Sequence, residues 1–166
     1  MNKISVITIN YNDKVGLKKT IDSVVNQSFK DFEFIVIDGA STDGSVSVIE
    51  ENKNQIAYWV SEPDSGVYNA MNKGIKAATG DFVIFMNSGD CFYSNSVLEE
   101  VSSELTTDFD IYYGDNYKVS PNSKRFKTYP DKLQFSFFYS SCINHQSTFI
   151  RRSLFEDHFY YNENYK

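Results

Sequence analysis

The sequence predicts an open α/β fold: a mostly parallel sheet with helices on both faces, passing into a mixed or antiparallel part towards its C-terminal end. Three observations carry this. Four apolar runs alternate with four segments of helical periodicity, and the connections between them are short. The runs are β-branched and apolar almost throughout, as strands buried on both faces must be. After Thr106 the alternation stops, and "FDIYYGD", "KRFKTYP" and "HQSTFIRR" read as strands with no long helix between them.

The first run is "ISVITI", Ile4 to Ile9, broken by "NYND". From Val15 the apolar residues Leu17, Ile21, Val24 and Val25 recur at helical spacing, with lysines on the other side. "FEFIVID", Phe32 to Asp38, is the second strand. The turn "GASTDGS" follows, with Asp43 as the expected cap of a helix that holds Val46 and Ile49. "IAYWV", Ile56 to Val60, is a short third strand ended by "SEPDSG". A helix from Val67 to Ala78 places Ala70, Met71, Gly74, Ile75 and Ala78 on or near one face, with Gly80 as its expected C-terminal cap. "FVIFM", Phe82 to Met86, is the fourth strand, and "SNSVLEEVSSEL" a helix capped by Ser94 or Ser96.

A chain of 166 residues suits one domain, and no linker or repeat divides it. Its 41% hydrophobic and 23% charged residues are the balance of a globular protein. No apolar run approaches the roughly 20 residues of a membrane-spanning helix, and no signal peptide stands at the start, so the expected location is the cytoplasm. Cys91 and Cys142 are too few for a disulfide framework. A net charge of −6, without a basic stripe, argues against nucleic acid as a partner. The 12 Tyr and 14 Phe are abundant, concentrated late in "FSFFYSS" and "FYYNENYK"; core packing and an aromatic-lined cleft are both open readings.

In such sheets ligands bind at the carboxyl ends of the strands, where loops and helix N-termini gather. Four strands deliver polar clusters there: Asn10-Tyr11-Asn12, Asp38 with Asp43, Glu62-Pro63-Asp64, and Asn87-Ser88-Gly89-Asp90. Gathered carboxylates repel one another unless they meet cations or hydrogen-bond donors. The turn after the first strand, "NYNDKVG", has a single late glycine, and no phosphate-binding loop occurs, so backbone amides alone do not cradle a diphosphate. A hard divalent cation on carboxylate oxygen is the alternative, and Asp90 beside Gly89 is the residue to hold it. Cys142, His145 and His158 provide only three candidates where structural zinc takes four ligands.

The stretches "ISVITINYN", "QSFKDFEFIVIDGASTDGS", "SEPDSGVYNAMNKGIKAATGDFVIFMNSGD" and "INHQSTFIRRSLF", in that order from Ile4 to about Phe155, resemble family 2 glycosyltransferases of the GT-A fold. The bacterial members that build capsule, exopolysaccharide or O-antigen chains are the most similar. The resemblance implies that residues 1–106 form a nucleotide-binding half and that 107–166 begin an acceptor half that is incomplete. Ile9, Asn10, Tyr11 and Asn12 would border the base, with Tyr11 stacked on it and Asp38 hydrogen-bonded to it, commonly uracil. Asp64, Asn72 and Lys73 would approach the sugar and diphosphate. "NSGD" stands where the family has an Asp-x-Asp motif, so Asp90 would keep the metal, Mn2+ or Mg2+, and Asn87 or Ser88 would replace the missing ribose contact. His145 and Gln146 would lie on the acceptor side. The general base is expected beyond Lys166 rather than at Glu156, Asp157 or Glu163.

The implied reaction is inverting transfer of a sugar from a nucleotide-diphosphate donor, a UDP-sugar by the family's habit, to a hydroxyl of a saccharide or lipid-linked saccharide. Peripheral attachment at the inner face of the membrane would suit such an acceptor. The thinned acidic motif and the absent base keep a second class open, a non-catalytic nucleotide-sugar or carbohydrate-binding module. A phosphotransfer domain using Asp38 as nucleophile is disfavoured, because "DGAST" lacks a second aspartate two residues on.

Overall fold

The computed structural model describes residues 3–106, 108–156 and 160–165. The first strand, β1 (Ile4–Asn10), lies inside a six-stranded sheet with β2 (Phe32–Asp38), β3 (Tyr58–Ser61), β4 (Phe82–Phe85), β5 (Ile111–Tyr113) and β8 (Thr148–Arg151), in the order β3-β2-β1-β4-β8-β5. The pairs β1/β2, β1/β4 and β2/β3 are parallel, whereas β8 runs antiparallel to both β4 and β5. The first three crossovers carry helices α1 (Lys14–Val25), α2 (Ser45–Glu51) and α3 (Val67–Ala77), and α4 (Val97–Glu104) follows β4. A separate two-stranded ribbon, β6 (Asn116–Ser120) with β7 (Ser123–Lys127), precedes β8, and the one-turn α5 (Ser153–Glu156) follows it.

The period of two along each strand divides the core between the two faces. Ile4, Val6, Phe34, Val36, Phe82 and Ile84 meet Leu17, Ile21 and Val24 of α1, Val48 and Ile49 of α2, and Leu98 of α4. Ile7, Ile9, Ile35, Ile37, Val83 and Phe85 turn the other way, onto Ala70, Met71 and Ile75 of α3. Each of these larger side chains, taken fully out of water, contributes about 1.5–3 kcal/mol. Two covered faces are the reason for the uninterrupted apolar runs.

Several local details differ from the sequence reading. The third strand begins two residues later than Ile56, and β6 was not foreseen because its residues are polar or exposed. Gly80 does not cap α3: that helix ends in extended Ala78, and Gly80 is required for packing. A Cβ there would stand 2.5 Å from Ser5 Oγ and 2.8 Å from the Lys3 carbonyl. Ser96 occupies the N-cap of α4 without a side-chain cap bond, and the orphan Leu98 N–H is satisfied instead by Gln27 Oε1 at 3.1 Å. The N-cap of α2 is Gly44 rather than Asp43, which stands one residue earlier; Asp43 Oδ1 accepts from Ser45 N at 3.0 Å and Ser45 Oγ at 2.6 Å, and its Oδ2 takes Lys14 N at the start of α1.

The late aromatics divide between the core and the exposed surface rather than lining a cleft together. Tyr161 is packed among Tyr68, Phe85 and Phe155, and burial, with Tyr68 adding to it, pushes its phenol up to about 12. Phe135, Phe138 and Tyr139, on a 3-10 turn (Phe135–Tyr139), are exposed.

Candidate functional site

The strand order turns in opposite directions from β1, to β2 on one side and β4 on the other. At that switch point the sheet's carboxyl edge opens into a cleft of about 840 Å³. It is lined from the end of β1 by Ile9, Asn10, Tyr11 and Asp13, after β2 by Gly39 and Ala40, from β3 into α3 by Pro63, Asp64, Gly66, Val67 and Ala70, and after β4 by Asn87 and Ser88.

Asn10 joins the strand ends. Its Nδ2 donates to Asp38 Oδ1 at 2.7 Å, and its Oδ1 accepts from Ser88 Oγ at 2.8 Å, so β2, β1 and β4 are held in step where they stop. Asp38 has no exposed surface. Burial raises its pKa, but donors from Ser41 Oγ (2.6 Å), Ser61 Oγ (2.6 Å), Asn10 and the Ser41 amide outweigh that, and the carboxyl lies below its ordinary value. The residue expected to touch a base thus has its oxygens committed to the chain, where it shapes the loop at Ser41 and anchors β3.

That loop is strained where it meets the first. Asn12 (φ 50°) and Ala40 (φ 61°) both hold left-handed backbone, and Asn12 ties the loops together, its N–H donating to Ser41 Oγ (2.8 Å) and its Oδ1 accepting from Thr42 N–H (2.8 Å). Tyr11 projects from this junction, 69% exposed, with one ring edge over Gly39. Gly39 leaves room for both neighbours: a Cβ there would lie 2.6 Å from Asp64 Oδ2 and 3.1 Å from the Tyr11 ring, so one of these side chains would have to move. Asp64 in turn accepts from Gly66 N at 2.9 Å. Lys73 reaches the same loop, pairing with Glu62 at 2.8 Å and donating to the Pro63 carbonyl at 3.0 Å, so it fixes the segment that carries Asp64.

Asn72 is placed differently from the expectation. It is buried, and its amide is used up by Tyr161 N and O and by Glu163 Oε1 (2.8 Å). Asn69 Nδ2 holds the other Glu163 oxygen at 2.8 Å, and hydrogen bonds from these two amides lower the Glu163 pKa. Asn72 therefore pins residues 161–163 to α3.

Beyond β4 the chain turns at Gly89 (φ 94°), and Asp90 N donates back to the Asn87 carbonyl at 2.9 Å. Thr20 on α1 staples this turn, donating to the Asp90 carbonyl (2.8 Å) and accepting from Gly89 N (3.0 Å). Burial raises the Asp90 carboxyl above the ordinary carboxylate range, and a hydrogen bond from Gln146 and the nearby His145 offset this only in part. Burial likewise lowers the His145 pKa against the pull of Asp90. His145 and Gln146, expected on the acceptor side, lie against Asp90 itself. The Asn87 amide nitrogen sits 3.1 Å from His145 Nε2, whereas Asn87 Oδ1 is buried with no hydrogen-bond partner.

An orphaned amide oxygen in the same turn as a carboxylate disfavoured in its ionised form is an incomplete arrangement, of the kind a hard cation could complete. Among the described residues no three His, Cys, Asp or Glu side chains gather as a metal cage. The donor set fits a cation of the Mg2+ or Mn2+ kind, which takes one or two protein carboxylates and completes its shell with phosphate oxygens and water. Of the residues weighed for zinc, Cys142 is a free exposed thiol, and His158 lies outside the described residues, as does Asp157.

Residues 5–159 match the family described as "Glycosyl transferase family 2". The chain belongs to that family. An uncharacterized glycosyltransferase of Mycobacterium tuberculosis is 43% identical over 104 residues, covering 62% of this chain and 40% of the relative. An Escherichia coli UDP-Glc:alpha-D-GlcNAc-diphosphoundecaprenol beta-1,3-glucosyltransferase is 27% identical over 84% of this chain and 56% of its own length. The crystal structure of Staphylococcus aureus TarS residues 1–349 superposes with a TM-score of 0.75 at 27% identity over 99% of this chain and 51% of TarS; TarS is also known in complex with UDP. A Pyrobaculum calidifontis mannosyltransferase in complex with GDP-Man and Mn2+ shares the fold, with a TM-score of 0.72 at 18% identity over 97% of this chain and 48% of its own. The chain thus spans about half the length of the family members it matches.

Sequence reading missed Asp13, Gly39, Ala40, Gly66 and Val67 as lining residues. "DGAST" carried one usable signal, a glycine directly after a buried carboxylate at a strand end.

Proposed function

We propose that this chain is the donor-binding part of an inverting, metal-dependent glycosyltransferase, which moves a sugar from a UDP-sugar to a hydroxyl of a saccharide or lipid-linked saccharide acceptor during surface polysaccharide synthesis. Its place of work would be the cytoplasm, at the inner face of the membrane. The observation that carries this is the turn after β4: Asn87, whose unpartnered oxygen belongs to a residue lining the switch-point cleft, is followed three residues on by Asp90, a carboxylate lifted by burial. The UDP complex of TarS, the UDP-Glc specificity named for the Escherichia coli relative and the Mn2+ complex of the mannosyltransferase support it. Among the described residues no helix is long and apolar enough to cross a membrane.

In this reading Tyr11 offers its exposed ring to the base, and the Asn12–Ser41–Thr42 junction fixes that ring. Asp64, held by Gly66 N and by the Lys73-anchored loop, faces the sugar side of the cleft. Asp90 and Asn87 Oδ1 hold the divalent ion. When bound, the ion supplies Lewis-acid stabilisation of the charge that appears on the departing diphosphate. Glu163, tied to two asparagine amides with its pKa lowered, is poorly suited to take the acceptor's proton. Donor binding, rather than proton removal, is therefore the task of the described residues.

Calorimetric titration of UDP, UDP-glucose, UDP-GlcNAc and GDP-mannose, with and without Mn2+, tests this. Metal-dependent binding of a uridine nucleotide supports it. Binding indifferent to a chelator, or preference for the guanosine donor, would overturn the metal or the uridine part respectively.

A further inference from the structure

The charge of the chain is unevenly placed. Residues 116–127, the β6–β7 ribbon, hold four of its 16 basic residues and none of its 22 acidic ones. The ribbon stands outside the six-stranded sheet, and its cross-strand register gives its two faces different chemistry. Tyr117 opposite Phe126 and Val119 opposite Lys124 form one face; Lys118 opposite Arg125 and Asn116 opposite Lys127 form the other. Val119 is 67% exposed and Phe126 56% exposed, more than a ribbon gains by chance from solvent.

The apolar face is organised. Phe126 packs on Tyr117 with ring centroids 4.7 Å apart, Tyr93 stacks on Tyr117 at 5.6 Å, and Lys124 Nζ lies 4.1 Å from the Tyr117 ring centre. From the other face, at the root of the ribbon, Lys127 lies over Tyr129, and Tyr129 meets Phe137 on the turn that exposes Phe135, Phe138 and Tyr139. Asn116 joins the ribbon to Asn144, next to His145, so the patch leads from the flank of the cleft.

We propose that the β6–β7 ribbon, with the Phe135–Tyr139 turn beside it, docks this chain onto an anionic lipid bilayer. Aromatic side chains with lysine at their edges are the composition that settles at a headgroup layer, the rings entering the acyl boundary while the long cationic stems reach phosphate. A ribbon is thinner than the roughly 10 Å screening length, so the cations of both faces act on one anionic surface. Val119, 67% exposed on the same face, offers a nucleobase nothing to stack on, whereas an acyl boundary accepts it, which favours lipid over nucleic acid as the partner. The proposal gives the membrane contact of the function above a location, yet it needs neither nucleotide nor metal.

The test is flotation of the chain with vesicles of phosphatidylcholine alone and of phosphatidylcholine mixed with phosphatidylglycerol. Binding to the mixed vesicles only, released by added salt, is expected. The variant Lys118→Glu/Lys124→Glu/Arg125→Glu should bind them on the order of a hundredfold more weakly. Phe126→Ser should bind several-fold more weakly. Both should titrate with UDP as the parent does, which also shows that they fold. Lys30→Glu/Lys53→Glu, elsewhere on the surface, should keep vesicle binding. Equal binding to neutral vesicles, undiminished binding by the triple variant, or an equal loss in the Lys30/Lys53 variant would overturn the proposal. Displacement of the vesicles by a short duplex DNA that binds the ribbon more tightly would overturn it too. Vesicle binding that persists where UDP binding fails in the parent would sink the donor reading alone.

Discussion

Two carboxylates, Glu33 buried and Asp90 half-buried, stand at opposite edges of the same sheet and show what each edge is for. At the amino edge, Glu33 is 8% exposed and saturated with donors: Ser5 Oγ, the Thr79 amide and hydroxyl, the Gly80 amide at 2.9 Å and Lys3 Nζ. Burial raises its pKa, yet these donors, Ser5 foremost, prevail and bring it to about 2. At the carboxyl edge, Asp90 has burial without enough donors, so its pKa rises, and Asn87 Oδ1 in the same turn has none. One edge is finished by the chain itself and stabilises the fold. The other is left incomplete and is ready for something that arrives from outside.

The largest effect that would break this contrast is at Glu33. Its depressed pKa means that its contribution to stability is fully present above about pH 4.5 and is lost as pH falls towards 2. The shift corresponds to about 3 kcal/mol. Glu33→Gln is expected to lower stability at pH 7 by a comparable amount and to flatten the loss of stability between those pH values, as urea melts at a series of pH values would show. Asp90→Ala should cost at least about a hundredfold in Mn2+-dependent UDP affinity, beyond what removal of a supporting residue costs a metal site. It should leave thermal stability intact or slightly raised, because it removes a carboxylate that the fold disfavours in its charged form. Tyr11→Ala should weaken UDP binding about tenfold through lost base stacking, with no change in melting temperature for so exposed a ring. Ser61→Ala removes one donor from buried Asp38 and should cost about 1 kcal/mol of stability, with a smaller change in nucleotide affinity.

The difference between the edges was only half legible in the sequence. The four buried strands and their polar ends were readable because two-sided burial writes itself as unbroken apolar runs, and because chain order fixes which ends converge. Asp90 could be singled out from "NSGD" on that basis. Glu33 could not, since a glutamate in "FEFIVID" gives no sign that Ser5, Thr79 and Gly80, 28 to 47 positions away, close around it. The same distance effect hid the capture of Asn72 by Tyr161 and Glu163, and the bonds to Asp38 from Asn10 and Ser61. Gln27 capping α4 across 71 positions is another instance. Local pattern reports which residues are buried; which of the buried polar groups remain unpaired is decided by contacts far apart in the chain.

One crossed measurement addresses the contrast directly: melting temperature and Mn2+-dependent UDP affinity, determined together for the parent chain, Glu33→Gln and Asp90→Ala. The expected result is a clean exchange, with Glu33→Gln melting lower but binding as the parent does, and Asp90→Ala melting like the parent but losing binding. Parent-like, metal-dependent UDP binding by Asp90→Ala would contradict the assignment of the carboxyl edge.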